Sequence, residues 1–213
     1  MELSRIGSAS RRFRMLVAGM LAALTASMFV TAPAHCQTFQ LNLQASFNGP
    51  GQSNDGAYPA GPLITDGNGN FFGVTNGGNY AYGDKIVEYS ASGGIQVLAA
   101  FPYNTQTGQM PLGQNPNGGL VRDSSGNLYG TAYLGGANGG GTIFEYSTSG
   151  GLVALASFTT VTPGTGYYPR GGLITDGSGH FYGTTSAGGA SGDGTIFKYS
   201  ASGGIQPEFD SCA

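Results

Sequence analysis

The sequence predicts an all-β, propeller-like array of about three four-stranded antiparallel blades, and leaves open whether these make an incomplete propeller. Three observations carry this. First, the chain repeats itself: segments beginning at Gly61, Gly118 and Gly171 align without gaps over 39 positions, with spacings of 57 and then 53 residues. A repeat of this kind marks a stacked or circular array of one supersecondary unit. Second, each repeat alternates short apolar stretches with glycine-rich or polar turns. Third, no helical period follows the N-terminal region, and 40 glycines and 10 prolines make long helices costly.

The elements follow in chain order. Arg5, Arg11, Arg12 and Arg14 form a basic start, and Met15 to Ala34 is uncharged and apolar. Small residues at Ala34 and Cys36 place a cleavage site before Gln37, so residues 1–36 read as a signal peptide and 37–213 as the repeat domain. Cleavage after Ala34 is the second choice. An uncleaved anchor is the alternative, because such a stretch is long enough to span a bilayer. The twin-arginine and general export routes are not separated, and Pro33-Ala34-His35 fits a lipidated Cys36 poorly. After cleavage only Cys212 remains; no disulfide within the chain is then expected, and a crosslinked dimer is a minor alternative.

Leu41 to Phe47 reads as a closing strand, because it resembles the fourth stretch of a repeat and ends in Phe like Phe101 and Phe158. Repeats then run near 61–101, 118–158 and 171–206. In the first, strands are expected at Leu63–Thr65, Phe71–Thr75, Lys85–Tyr89 and Ile95–Phe101. They are rich in β-branched and aromatic residues and bounded by Gly, Asn, Asp and Ser. The third repeat lacks a convincing fourth strand, since Pro207-Glu208-Phe209-Asp210 stands where the others are apolar. The N-terminal strand is therefore expected to complete the last blade.

Asp66, Asp123 and Asp176 open the first turn of each repeat, and Ser-x-Ser-Gly-Gly recurs at 90–94, 147–151 and 200–204. A side chain that caps its own turn, followed by a glycine free to take φ > 0, suits a tight hairpin. A calcium loop is the competing reading of Asp66-Gly67-Asn68-Gly69-Asn70, but the downstream bidentate Glu is missing and the second copy holds one carboxylate. His180 replaces Asn70 and Asn127 in its turn, without a visible orienting partner for base catalysis.

The pattern Gly-Gly-Leu-x-x-Asp-x-x-Gly-Asn-Leu-Tyr-Gly-Thr, continued by Gly-Thr-Ile-Phe-Glu-Tyr, resembles the GloVer-type tandem repeat of exported bacterial proteins over about residues 38–206. The resemblance implies an exported, propeller-like repeat protein with no assigned activity. Members often carry a C-terminal anchoring or sorting segment. Here the seven residues after Gln206 are rich in polar and small side chains and form no apolar tail, and three repeats are few, so a truncated gene product is one expectation.

The residues past the signal hold four basic and ten acidic side chains and one histidine, His180. That balance argues against nucleic acid, whose phosphates call for clustered Lys and Arg. No membrane association is expected after signal cleavage, and no cofactor, metal or catalytic set is read from the sequence. Strand alternation puts the long loops on one side and the tight turns on the other. The long-loop side carries Tyr58, Tyr80, Tyr82, Tyr103, Tyr133, Tyr167, Tyr168 and Arg170. Of these Tyr58, Tyr103, Tyr133, Tyr167, Tyr168 and Arg170 are the candidate ligand-binding residues, suited to a glycan or protein ligand because aromatic rings with polar tips stack on sugar or peptide. The bland reading is that they pack their own loops. The repeated Tyr89, Tyr146, Tyr199, Phe101 and Phe158 are read as core, and Glu88 and Glu145 as solvent-facing.

The function expected is a non-enzymatic exported binding or scaffold module at the envelope or outside the cell. The alternatives are a propeller enzyme, a lyase or lactonase-like hydrolase, or a fragment without independent function. Three blades fall below the roughly four to eight that close a propeller. A homodimer pooling six blades, or a marginal, aggregation-prone chain, is therefore expected.

Overall fold

The computed structural model describes residues 43–47, 55–77, 83–161 and 164–208. The expected signal at 1–36, Leu41, Asn42, Tyr80, Tyr82 and Cys212 lie outside the described residues. The described residues fall within one compact unit. The described residues are all-β, without a helix.

The first blade holds β1 (Pro59–Thr65), β2 (Phe71–Thr75), β3 (Lys85–Ser90) and β4 (Gly94–Ala100), paired in sequence order. The second holds β5 (Val121–Arg122), β6 (Leu128–Ala132), β7 (Gly139–Ser147) and β8 (Gly151–Thr159), in the same order. The third is preceded by β9 (Tyr167–Pro169) and holds β10 (Ile174–Thr175), β11 (His180–Ala187), β12 (Ile196–Ser200) and β13 (Gly204–Pro207), with β9 paired to the far end of β11. All strand pairs are antiparallel, and among the described residues the three separate sheets form an open, propeller-like array, consistent with an incomplete propeller.

One expectation is corrected. The third repeat has its own fourth strand, β13, whose Ser200↔Gly204 to Phe197↔Pro207 register matches the start of β4 and β8. The ladder tolerates Pro207 because it falls at the strand's end, and the Glu208 amide still donates to the Ile196 carbonyl at 2.9 Å. Residues 43–47 pair with no strand of the third blade and instead line a hollow beside the first.

The turns form as local chemistry dictates. The Asp66 carboxylate accepts from the Asn68 amide at 2.8 Å and from the Asn70 side chain at 2.8 Å. Asp123 does the same with Ser125 and Asn127, and Asp176 with Ser178 and His180. His180 is thus a third version of the Asn, with Nδ1 at 2.7 Å from the Asp176 carboxylate. In the other turn the Gly93, Gly150 and Gly203 amides donate to Ser90, Ser147 and Ser200 hydroxyls at 3.0–3.1 Å.

Packing between blades explains the shared residues. Each sheet offers two unlike faces. The leading face of the second blade, with Leu120, Leu128 and Phe144, packs on Val74, Ile86 and Phe101 of the first. Its trailing face, with Ile143 and Phe158, packs on Leu173, Phe181, Phe197 and Tyr199 of the third. Phe101 meets Phe144 edge-on at 5.0 Å, and Phe158 meets Phe197 in the same way at 4.9 Å. Aromatic pairs favour such tilted contacts over a sandwich.

Two glycine sets permit this approach. A Cβ on Gly118 would stand 2.5 Å from the Gly171 carbonyl oxygen, and one on Gly61 would stand 2.9 Å from Gly118, so the paired glycines let successive blades touch backbone to backbone. On the second strand, a Cβ on Gly130 would stand 2.5 Å from Phe144 Cζ, and one on Gly183 would stand 2.6 Å from Phe197 Cζ.

Candidate functional site

The long loops enter each blade through a motif that begins before the aligned segments: Gly-x-Tyr/Asn-Pro-x-Gly at 56–61, 113–118 and 166–171. Its glycine has positive φ in every copy, and so does the residue before proline: Tyr58 (53°), Asn115 (55°) and Tyr168 (62°). These three are the non-glycine residues with positive φ among those described. That conformation costs roughly 1–3 kcal/mol for a side-chain-bearing residue and persists only where its surroundings enforce it.

The enforcing bond repeats. The Tyr58 carbonyl accepts from the Asn76 amide at 2.9 Å, the Asn115 carbonyl from the Tyr133 amide at 3.1 Å, and the Tyr168 carbonyl from the Ser186 hydroxyl at 2.9 Å. All three donors occupy the same repeat position, just past β2 and β6 and near the end of the longer β11. Gly56 has no room for a Cβ, which would stand 2.5 Å from Thr75 Oγ1, and Gly166 is closed in by Thr185 and Thr195. Asp84 adds a staple to the first junction, its carboxylate accepting from the Gly77 and Asn115 amides. Burial pushes its carboxyl above the usual range despite these bonds and the nearby Lys85.

Four of the six candidate residues come together at the junction of the second and third blades. The Tyr133 and Tyr168 ring centroids stand 5.0 Å apart, and Tyr167 meets Tyr168 edge-on at 4.8 Å. The Arg170 guanidinium carbon lies 4.3 Å from the Tyr133 ring centroid, and an Arg170 amine donates to the Tyr133 hydroxyl at 3.0 Å. The Thr131 hydroxyl donates to the Gly171 carbonyl at 2.9 Å, fixing the backbone beside Arg170 to the second blade. The tyrosines are half-buried and Arg170 is exposed. Tyr58 holds the place of Tyr168 in the first repeat, exposed, and among the described residues no ring contact joins it to the cluster. Tyr103 stands half-buried in the loop before the second blade. A depression of about 470 Å³ runs from Leu134, the residue after Tyr133, to Met110 and Pro111.

The opposite side of the same junction holds a polar groove of about 450 Å³, lined by Arg122, Asp123, Tyr129, Glu145, Phe181 and Tyr199 among others. The Tyr129 hydroxyl stands 3.1 Å from Asp123 and 3.2 Å from Glu145. Glu145 is therefore half-buried and engaged, which corrects its reading as a solvent-facing position. Burial, with the two carboxylates adding to it, pushes the Tyr129 phenol up to about 12. Among the described residues no group of three or more His, Cys, Asp or Glu side chains could hold a metal ion.

The sheets and junctions define a class: a tandem-blade β-array of propeller type, with strained aromatic loops on one side and uniform tight turns on the other. The chain belongs to the Gloeobacter/Verrucomicrobia repeat family, whose model matches residues 34–209. No curated protein matches it.

Proposed function

We propose that this protein is an exported, non-enzymatic binding module that recognises a carbohydrate through Tyr133, Tyr167, Tyr168 and Arg170. The observation that carries the reading is the meeting of three rings and a guanidinium from two separate segments, Tyr133 just past β6 and Tyr167 to Arg170 at β9, with the Tyr168 backbone held at positive φ. Backbone held in this way is characteristic of binding sites and switches. Rings stack on sugar faces, while the exposed guanidinium offers planar donors to a hydroxyl or a carboxylate. The polar groove on the other side gives less support to proton-transfer chemistry, because a phenol pushed up to about 12 keeps its proton at neutral pH.

The test is binding of the full-length chain to glycan and peptide arrays, followed by titration with the strongest glycan. Tyr168→Asn preserves the backbone, since Asn115 already adopts it, and removes one ring. This variant and Arg170→Ala should each weaken binding about tenfold, near 1.4 kcal/mol. His180→Asn, on the tight-turn side, should leave it unchanged. Equal binding by all four proteins overturns the site, and a preference for peptides overturns the ligand class.

A further inference from the structure

We propose that two copies of this chain join head to tail into a six-bladed ring, the leading face of each first blade seating on the trailing face of the partner's third blade. The two bare faces are the unlike halves of an interface that the chain already forms twice. Leu63 is 61 % exposed, whereas its counterparts Leu120 and Leu173 are 3 % and 4 % exposed within the array. On the other end Ile196 is 47 % exposed, whereas Ile86 and Ile143, its counterparts, are 0 %. Phe71 and Ile174 are exposed in the same way. A leading face fits a trailing face, so two leading faces or two trailing faces would not reproduce the contact. Patches of this composition mark interfaces.

Residues 43–47 identify where the partner goes. Ala45-Ser46-Phe47 repeats Ala156-Ser157-Phe158, the end of a fourth strand. Phe158 stands at the next blade's leading face, against Phe197. Phe47 likewise lines a hollow of about 300 Å³ on the leading face of the first blade with Leu63, Phe71, Val87 and Ile95. The segment thus lies where a preceding blade would place its fourth strand. The third blade has the converse deficit: where β8 has Leu155 and Phe158, repeat three has Glu208 and Ser211. A partner's 43–47 segment brings the missing Phe to that seam. Two such seams related by a two-fold axis satisfy all four bare faces, and six blades lie within the range of roughly four to eight that closes a propeller.

The test is sedimentation velocity and light scattering on the full chain as isolated, with dichroism to confirm folding. The wild type should run at twice the chain mass. Leu63→Asp and Ile196→Asp alter exposed positions, so each should fold, and each should weaken pairing by roughly a hundredfold or more, since a carboxylate then enters both seams. Ile174→Asp gives a second variant of the trailing face. Mixing Leu63→Asp with Ile196→Asp chains should restore pairing, because one of the two seams is then wholly wild type. A wild-type monomer at high concentration, pairing retained by either single variant, no rescue on mixing, or a ladder of larger species would each overturn the proposal.

Discussion

Replacing Phe144 by Ala should cost more than any other single truncation in the second blade, and a second glycine substitution should recover part of the loss. Phe144 is fully buried, sits in the core between the first two blades, and meets Phe101 edge-on at 5.0 Å. Removing such a ring costs about 3–5 kcal/mol, the lost transfer energy and the unfilled cavity together. At about 2–4 °C per kcal/mol for a domain of this size, the midpoint should fall by roughly 10–15 °C. The ring's Cζ lies where a Cβ on Gly130 would come within 2.5 Å, so Gly130→Ala alone should also destabilise. Once Phe144 is alanine, that clash is gone and the new methyl occupies part of the vacated space. The double variant should therefore be more stable than the sum of the single effects predicts, with a coupling of about 1–3 kcal/mol. Thermal and urea unfolding followed by dichroism measure all four corners of the cycle. Additive effects would show that Gly130 is not glycine because of the ring, and a loss under about 1 kcal/mol for Phe144→Ala would refute the blade-core argument.

Two further expectations concern ionisation and processing. The Tyr129 phenol, pushed up by burial to about 12 in the folded chain, ionises first in the unfolded chain near its ordinary value of about 10. The unfolded state therefore sheds its proton first, and stability should fall as pH rises from about 10 to 12. Tyr129→Phe should flatten that limb in urea midpoints, and an unchanged slope would show that the groove does not hold the proton. Export predicts that N-terminal sequencing of secreted material begins at Gln37, and an intact Met1 in an envelope fraction would refute cleavage.

Much of the fold was legible because the repeat reports the same local chemistry three times. The strand positions, both hairpin turns and the two sides of the array follow from residues only a few positions apart. The fourth strand of repeat three was not legible, because Pro207 and Glu208 break the apolar pattern while the ladder needs only the first few residues after Gly204. The entry motif at 56–61, 113–118 and 166–171 carries its own proline and glycine signals, but they stand just upstream of the stretch over which the three repeats align from Gly61, Gly118 and Gly171. Tyr167 and Tyr168, expected in a long loop, lie on the short strand β9, and nothing local in the sequence distinguishes Tyr133 as the partner of these rings and Arg170.

By itself the sequence determines the unit. An Asp accepting from amides two and four residues on, a Ser accepting from a glycine three on, and a side-chain alternation of two specify each hairpin and which residues share a face. Only the tertiary structure decides what each face meets. Whether Ile143 is buried or Ile196 exposed depends on whether another blade stands opposite, and the two strands present the same pattern to any local reading. The glycine contacts at 61, 118 and 171 and the Tyr133–Arg170 bond are likewise set by chain segments tens of residues apart. Periodicity states that a side chain points outward from its strand; the surface it reaches belongs to another part of the chain.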